Sequence, residues 1–350
     1  GNPAYAVSRL GEEYGAKLSH LYARMRNLIS AVYEGRLEDI VVGMELFLEV
    51  YTAVSYALAE EGKLPTGEEI RDILYWHVSD NADRDEERNV SCMVNPANRY
   101  YVDIVLNSEL KEVRYLYHYG TYVTENELEM ARYMAELPEE TIATMADTYT
   151  EGYRIGFEVT GKELSRKKST DLRYHLGFER MIRRAIHNFE KLNLKPVISR
   201  NMVTGGTVNR QYLYDHKDDN ALFLDKNYVN RRLEVLHTAF EKYKKEANGY
   251  AGPAVVETFG EADFNPVNKP ERLKLSEEQN KLWVEFLTKY SELRKNYIIE
   301  EERSFTIIAF PVPEIGSVFK ELFDETIKLN TLDYMLYRDV QQKLIDALDK

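Results

Sequence analysis

The densest group of reactive side chains in the sequence is Tyr214-Asp215-His216-Lys217-Asp218-Asp219, downstream of Gly205-Gly206. Carboxylates and an imidazole this close together could hold a divalent cation or position a substrate amine, because such oxygen and nitrogen donors suit hard and borderline ions. Lys217 in the middle of the run opposes a cation. The plain alternative is a solvated loop capping a helix that begins near Asn227, and no metal ligand is assigned. His175-Leu176-Gly177 lies where a predicted strand hands over to a helix, the edge at which open α/β sheets commonly hold ligands. A single glycine is too few for a dinucleotide fingerprint, so the plain reading there is a tight turn. Glu257 and Arg303 flank other predicted strands, where most charged residues simply face water. The candidate ligand contacts are therefore His175, Asp215, His216, Glu257 and Arg303, and no catalytic residue is assigned.

Several large enzyme classes lack their usual support. No His-Glu-x-x-His zinc helix, no phosphate-binding Gly-x-x-x-x-Gly-Lys loop and no Gly-x-Ser-x-Gly elbow is expected. The 26 tyrosines, among them Tyr100, Tyr101, Tyr115, Tyr117, Tyr119 and Tyr122, suit either a helical core with a polar edge or an interface with another domain or subunit.

The elements that must carry these residues fall into two halves. Residues 5 to 160 read as helices, since apolar residues recur at three and four spacing. Leu37, Ile40, Val41, Met44, Phe47, Leu48 and Tyr51 form one such stripe, ended by Gly62 and Pro65. Thr66 with Glu69, and Thr124 with Glu127, have the spacing of capping boxes. A last helix opens near Pro138 and runs toward Gly161.

Past Arg166-Lys167-Lys168 the pattern alternates. Leu172-Arg173-Tyr174 is a short strand, Phe178 to Phe189 a helix with one apolar face, and Leu194 to Ile198 another strand. Strand, helix and strand make a right-handed βαβ unit with parallel strands. A helix around 226 to 247, a strand at Ala254-Val255-Val256-Glu257 and a helix opened by Ser276 with Gln279 continue the series. Phe305 to Phe310 is the strongest strand, and its unbroken apolar run predicts a central position covered on both faces. Two helices follow, carrying Val318, Leu322, Phe323 and Ile327, then Tyr334, Leu336, Val340, Leu344 and Leu348. The expectation is an all-α domain at 1–161 and an α/β domain at 162–350 with a parallel, Rossmann- or flavodoxin-like sheet flanked by helices.

Length and composition agree with two domains, at 350 residues, 44% hydrophobic and 30% charged. A net charge of -13 repels a phosphate backbone, so nucleic acid is not an expected partner. No window of about 18 uninterrupted apolar residues is present, so no membrane is expected. One cysteine, Cys92, excludes an internal disulfide, and a cytoplasmic location is expected. Gly1-Asn2-Pro3 reads as an artificial start within a longer protein. A finish at Lys350 directly after a helix points to further chain beyond it.

The run FTIIAFPVPEIG, Phe305 to Gly316, with Arg303 and Ser304 before it, resembles a late sheet strand and loop of the N-terminal domain in thermophilic-type metallo-aminopeptidases. LRYHLGFERMIRRAIHNFEKLNLKPVISR, Leu172 to Arg200, is similar to a strand, helix and strand of the longer leucyl aminopeptidase-like proteins of that group. The resemblance covers roughly residues 165 to 350. It implies the non-catalytic front portion of a bacterial enzyme, whose C-terminal domain holds a pair of zinc, cobalt or manganese ions that activate water and polarise a peptide carbonyl. No position here matches the family's metal ligands, so no cofactor is expected in this chain. Implied partners are the peptide substrate, the protein's own C-terminal domain and a second copy in a homodimer. A second reading is a complete small-ligand-binding or scaffold protein. A third is a self-contained transferase or hydrolase using His175, Glu257 and Arg303.

Overall fold

The computed structural model describes residues 1–200, 203–204, 209–331 and 334–349, so Gly205-Gly206 lies outside the described residues. Seven helices come first: α1 (Pro3–Tyr33), α2 (Leu37–Tyr56), α3 (Gly67–Asp80), α4 (Ala82–Val94), α5 (Tyr100–Asn107), α6 (Glu125–Glu136) and α7 (Glu139–Val159). Both expected capping boxes form. Thr66 N donates to Glu69 Oε2 at 2.7 Å while Glu69 N donates to Thr66 Oγ1 at 3.2 Å, and Thr124 and Glu127 repeat the exchange. Each satisfies amide hydrogens that a helix start otherwise leaves free.

The α2 stripe does not face a core. Leu37, Val41, Met44, Phe47, Leu48 and Tyr51 are exposed, whereas Leu46 and Val50 are buried with Leu21 of α1 and Ile70 and Leu74 of α3. The helix is apolar on both faces and only one face has neighbours. Leu37–Glu61 holds an 18-residue window of mean hydropathy 1.4, so by length and composition alone this helix would suffice to cross a membrane although its apolar run is interrupted.

The strands are β1 (Ser169–His175), β2 (Lys195–Val197), β3 (Val203–Thr204), β4 (Tyr250–Phe259) and β5 (Thr306–Pro311), all parallel. Helices α8 (Glu179–Lys191), α9 (Arg210–His216), α10 (Lys226–Lys242), α11 (Lys244–Asn248) and α12 (Glu277–Lys295) connect them, and α13 (Phe319–Asn330) and α14 (Tyr334–Leu348) follow. The sheet order is β2-β1-β4-β5, with β3 continuing the β2 edge along β1. The Phe305–Phe310 run thus forms an edge strand rather than a central one. It pairs only with β4 among the described residues, and Phe305 and Ile307 are exposed. A continuous apolar run reports preference for extended backbone and not the number of neighbours.

Side chains alternate across β1. Leu172 and Tyr174 enter a core shared with α5, α6, α7, α8 and α13, along with Ala254 and Val256 of β4 and Phe310 of β5. Toward the other face, Ser169 Oγ approaches the Val94 carbonyl of α4 at 3.5 Å, and α4 packs with α10 and α12 in a second core that includes Tyr250. Residues from both sides of position 161 therefore build each core.

Gly252 closes a bulge in β4 where the β1 register shifts. Its φ is +111°, and an added Cβ would meet the Ser304 carbonyl oxygen at 1.8 Å. Its own carbonyl accepts Tyr153 Oη and Thr170 Oγ1, each at 2.9 Å, tying α7 and β1 to β4. We expect Gly252→Ala to destabilise the protein by about 3 kcal/mol or more, through both the disfavoured φ and the backbone clash, as read by urea denaturation.

Candidate functional site

The strand order reverses between β1 and β4, because α8 carries the chain to one side of β1 and the β2-to-β4 connection returns it to the other. In open α/β sheets the crevice at the carboxyl ends of such strands is the usual ligand position. His175 and Glu257 meet there. His175 Nε2 lies 3.9 Å from Glu257 Oε2, and His175 Nδ1 is 3.2 Å from Thr258 Oγ1, which in turn bonds Glu261. Burial pushes the His175 imidazole below its ordinary value, against the opposing charges of Glu261, Glu257 and Glu127. The imidazole thus stands between Glu257 and Thr258, placed to exchange a proton with either. Arg303 does not join it. It precedes β5 at the amino edge of the sheet, and since Ala309 is the residue level with Glu257, the two stand about 20 Å apart along the strands. Its guanidinium bonds Glu300 at 3.0 Å. The trio His175, Glu257 and Arg303 is thus not brought together.

The Tyr214–Asp219 run is not a loop, since Arg210–His216 forms α9 and a 3-10 turn spans Asp219–Leu222. Its acids diverge. Asp215 is buried against Lys269 and Gln211, Asp218 binds Arg272 at 2.6 Å, and Asp219 accepts both His216 Nδ1 at 2.9 Å and His20 Nδ1 at 2.8 Å. His216 Nε2 reaches the Gly1 carbonyl at 3.0 Å. The two imidazoles clasp one carboxylate and join α9 to α1. Among the described residues, no group of three or more His, Cys, Asp and Glu side chains is disposed to hold a metal ion. Gly156-x-x-x-x-Gly161-Lys162 has phosphate-loop spacing, but Glu163 follows it, it lies at the end of a helix, and Lys162 Nζ donates to the Arg303 carbonyl at 2.6 Å.

The feature missed from sequence is a cleft of about 1300 Å³ beside the carboxyl ends of β1 and β2, bordered by α1, α4, α10 and α12. Ten arginines and only four carboxylates line it, in a chain of net charge -13. Asp39 receives Arg36, Arg84 and Arg88, the last at 2.7 Å, and Asp85 is shared by Arg24, Arg84 and Arg88. Glu86 accepts Arg232 Nε at 2.6 Å, and that guanidinium lies 4.2 Å above the Phe286 ring. Arg99, Arg173 and Arg294 lean on Asp103, Asp171 and Glu300 outside the lining. Arg26 and Arg200 have no carboxylate within 4.0 Å among the described residues. Instead, Arg26 stacks 4.4 Å above the Tyr212 ring and Arg200 Nη1 donates to Ser30 Oγ at 2.7 Å. His77 in the same wall is pushed down to about 4, by burial and then by Arg24. One trace of this site was available beforehand: Arg84 and Arg88 are four apart and share a helix face.

Glu179, also passed over in the sequence, caps the turn after β1. It is fully buried and accepts Tyr115 Oη at 2.7 Å and Gly177 N at 2.8 Å, and burial pushes it up to about 7. Comparison with protein-family models, curated proteins and solved structures finds no match for this chain.

Two pH dependences follow from these groups. The folded protein holds the Glu179 proton that the unfolded chain releases near 4.5, so stability declines as pH rises from 4.5 through 7, by roughly 3 kcal/mol for this group. Glu179→Gln should flatten that decline in thermal melts at pH 5 and 8. At His216, burial is outweighed by the bond to and charge of Asp219, so the imidazole is raised; Asp219, despite burial, is lowered by His20 and His216. The raised histidine contributes fully below 6.5 and loses its contribution as pH rises through its folded value. The lowered aspartate contributes above 3.8 and loses its contribution as pH falls. The melting-temperature drop caused by His216→Ala should accordingly be larger at pH 5.5 than at pH 8.5.

Proposed function

We propose that the chain is the non-catalytic N-terminal portion of a bacterial, cytoplasmic, metal-dependent aminopeptidase that releases N-terminal residues from peptides. The observation that carries this reading is the resemblance of residues 305–316, a segment that forms β5 and the 3-10 turn Pro313–Ile315 after it. It is supported by Leu172 to Arg200, whose likeness to the same group spans β1, α8 and β2. In this reading the α/β region shapes access of peptides to a later domain and contributes to a homodimer. On the same reading the pair of zinc, cobalt or manganese ions belongs to that later domain, since no position of this sequence matches the family's metal ligands.

The complete gene product, supplied with each of the three metals, should release N-terminal residues from unblocked peptides, whereas residues 1–350 alone should release none. A full-length protein inactive with all three metals, or hydrolysis by the 350-residue chain itself, would remove the proposal.

A second reading, a small-ligand-binding protein without enzymatic activity, is favoured by the arginine-lined cleft at the sheet edge.

A further inference from the structure

We propose that the arginine-lined cleft binds a small molecule through a phosphate group seated between Arg26 and Arg200. Eight of the ten guanidiniums face a carboxylate within 4.0 Å, and these two are the exceptions among the described residues. Both stand at the α1 wall of the cleft. Arg200 is bonded to Ser30, and Ser30 lies four residues after Arg26 on the same face of α1. A phosphate monoester carries close to two negative charges at neutral pH and offers three acceptor oxygens, which matches two planar guanidinium forks. A lone carboxylate would leave one cation unanswered.

Two polar atoms in the same lining add to this. Tyr212 Oη and Arg84 Nε are sealed from solvent without a hydrogen-bond partner among the described residues. Buried groups of this kind are normally satisfied, so each is a position for a ligand oxygen or a water bridging to one. The ligand is small. A long polyanion would meet the repulsion of a chain carrying -13, whereas the cleft lining holds ten arginines against four carboxylates. Tyr100, Tyr101, Tyr122 and Tyr290 also line the cleft, giving a ring attached to the phosphate a surface to stack on.

The inference does not rest on the aminopeptidase reading, and its test needs no hydrolysis. The 350-residue chain is titrated calorimetrically with pyrophosphate, ADP and adenosine at two salt concentrations. Both phosphate-bearing probes should bind, more weakly at high salt, and adenosine should not. Tighter binding of ADP marks a nucleotide as the source of the phosphate, and tighter binding of pyrophosphate marks a free phosphate compound. Arg26→Ala and Arg200→Ala should each weaken binding roughly tenfold, with Arg200→Lys recovering part of the loss. Absence of heat with either phosphate-bearing probe at millimolar concentration overturns the proposal on the unaltered chain. So does undiminished binding by the R26A/R200A double variant.

Discussion

A parallel sheet has to be covered on both faces, and here the connecting helices α8 to α12 do not cover it on their own. That shortfall organises the molecule. α8 takes one face and α10 with α12 the other, and the remaining area is closed by helices that precede the sheet in the chain. α7 lies on the face of α8, where Tyr149 and Tyr153 set their rings edge-on to Phe189 at 6.0 and 5.2 Å. α4 closes the opposite face against α10. Helices α4 to α7 are thus part of the sheet's cover and not an appendage to it.

Covering β1 this way buries polar groups that must be answered locally. Asp171 is fully buried and is held by the Tyr250 hydroxyl and by Arg173 Nε at 2.6 Å. A charge left unpaired in such a place would cost several kcal/mol, so the Arg173 guanidinium is drawn to the end of β1 and its outer edge faces the cleft. The positive cleft is therefore partly a by-product of how the sheet is sealed.

Where local rules decide, the sequence was readable. The capping residues Thr66, Thr124 and Ser276 each start a helix, and the apolar face from Phe178 to Phe189 is wholly buried. The start of β1 was not, since Ser169, Thr170 and Asp171 are polar and their burial is dictated by neighbours distant in sequence. The α2 stripe and the Phe305–Phe310 run show the same limit, because periodicity identifies a face without naming what meets it. His175 and Glu257 stand together toward the carboxyl ends of β1 and β4, whereas Arg303 precedes β5, and nearness to a strand does not say which end of it a residue occupies. The cleft was out of reach for a plainer reason: Arg26 and Arg200 line one cleft only after Arg200, past the end of β2, has bonded Ser30 of α1.

The bond from Tyr153 to the Gly252 carbonyl joins residues separated by 99 positions. During synthesis at about 5–20 residues per second, α7 leaves the ribosome roughly 5–20 seconds before its acceptor exists. Throughout that wait its aromatic flank can meet only nascent-chain helices, solvent or a chaperone. Slowing the ribosome across α8 to α11 would lengthen the interval during which that flank waits for its acceptor.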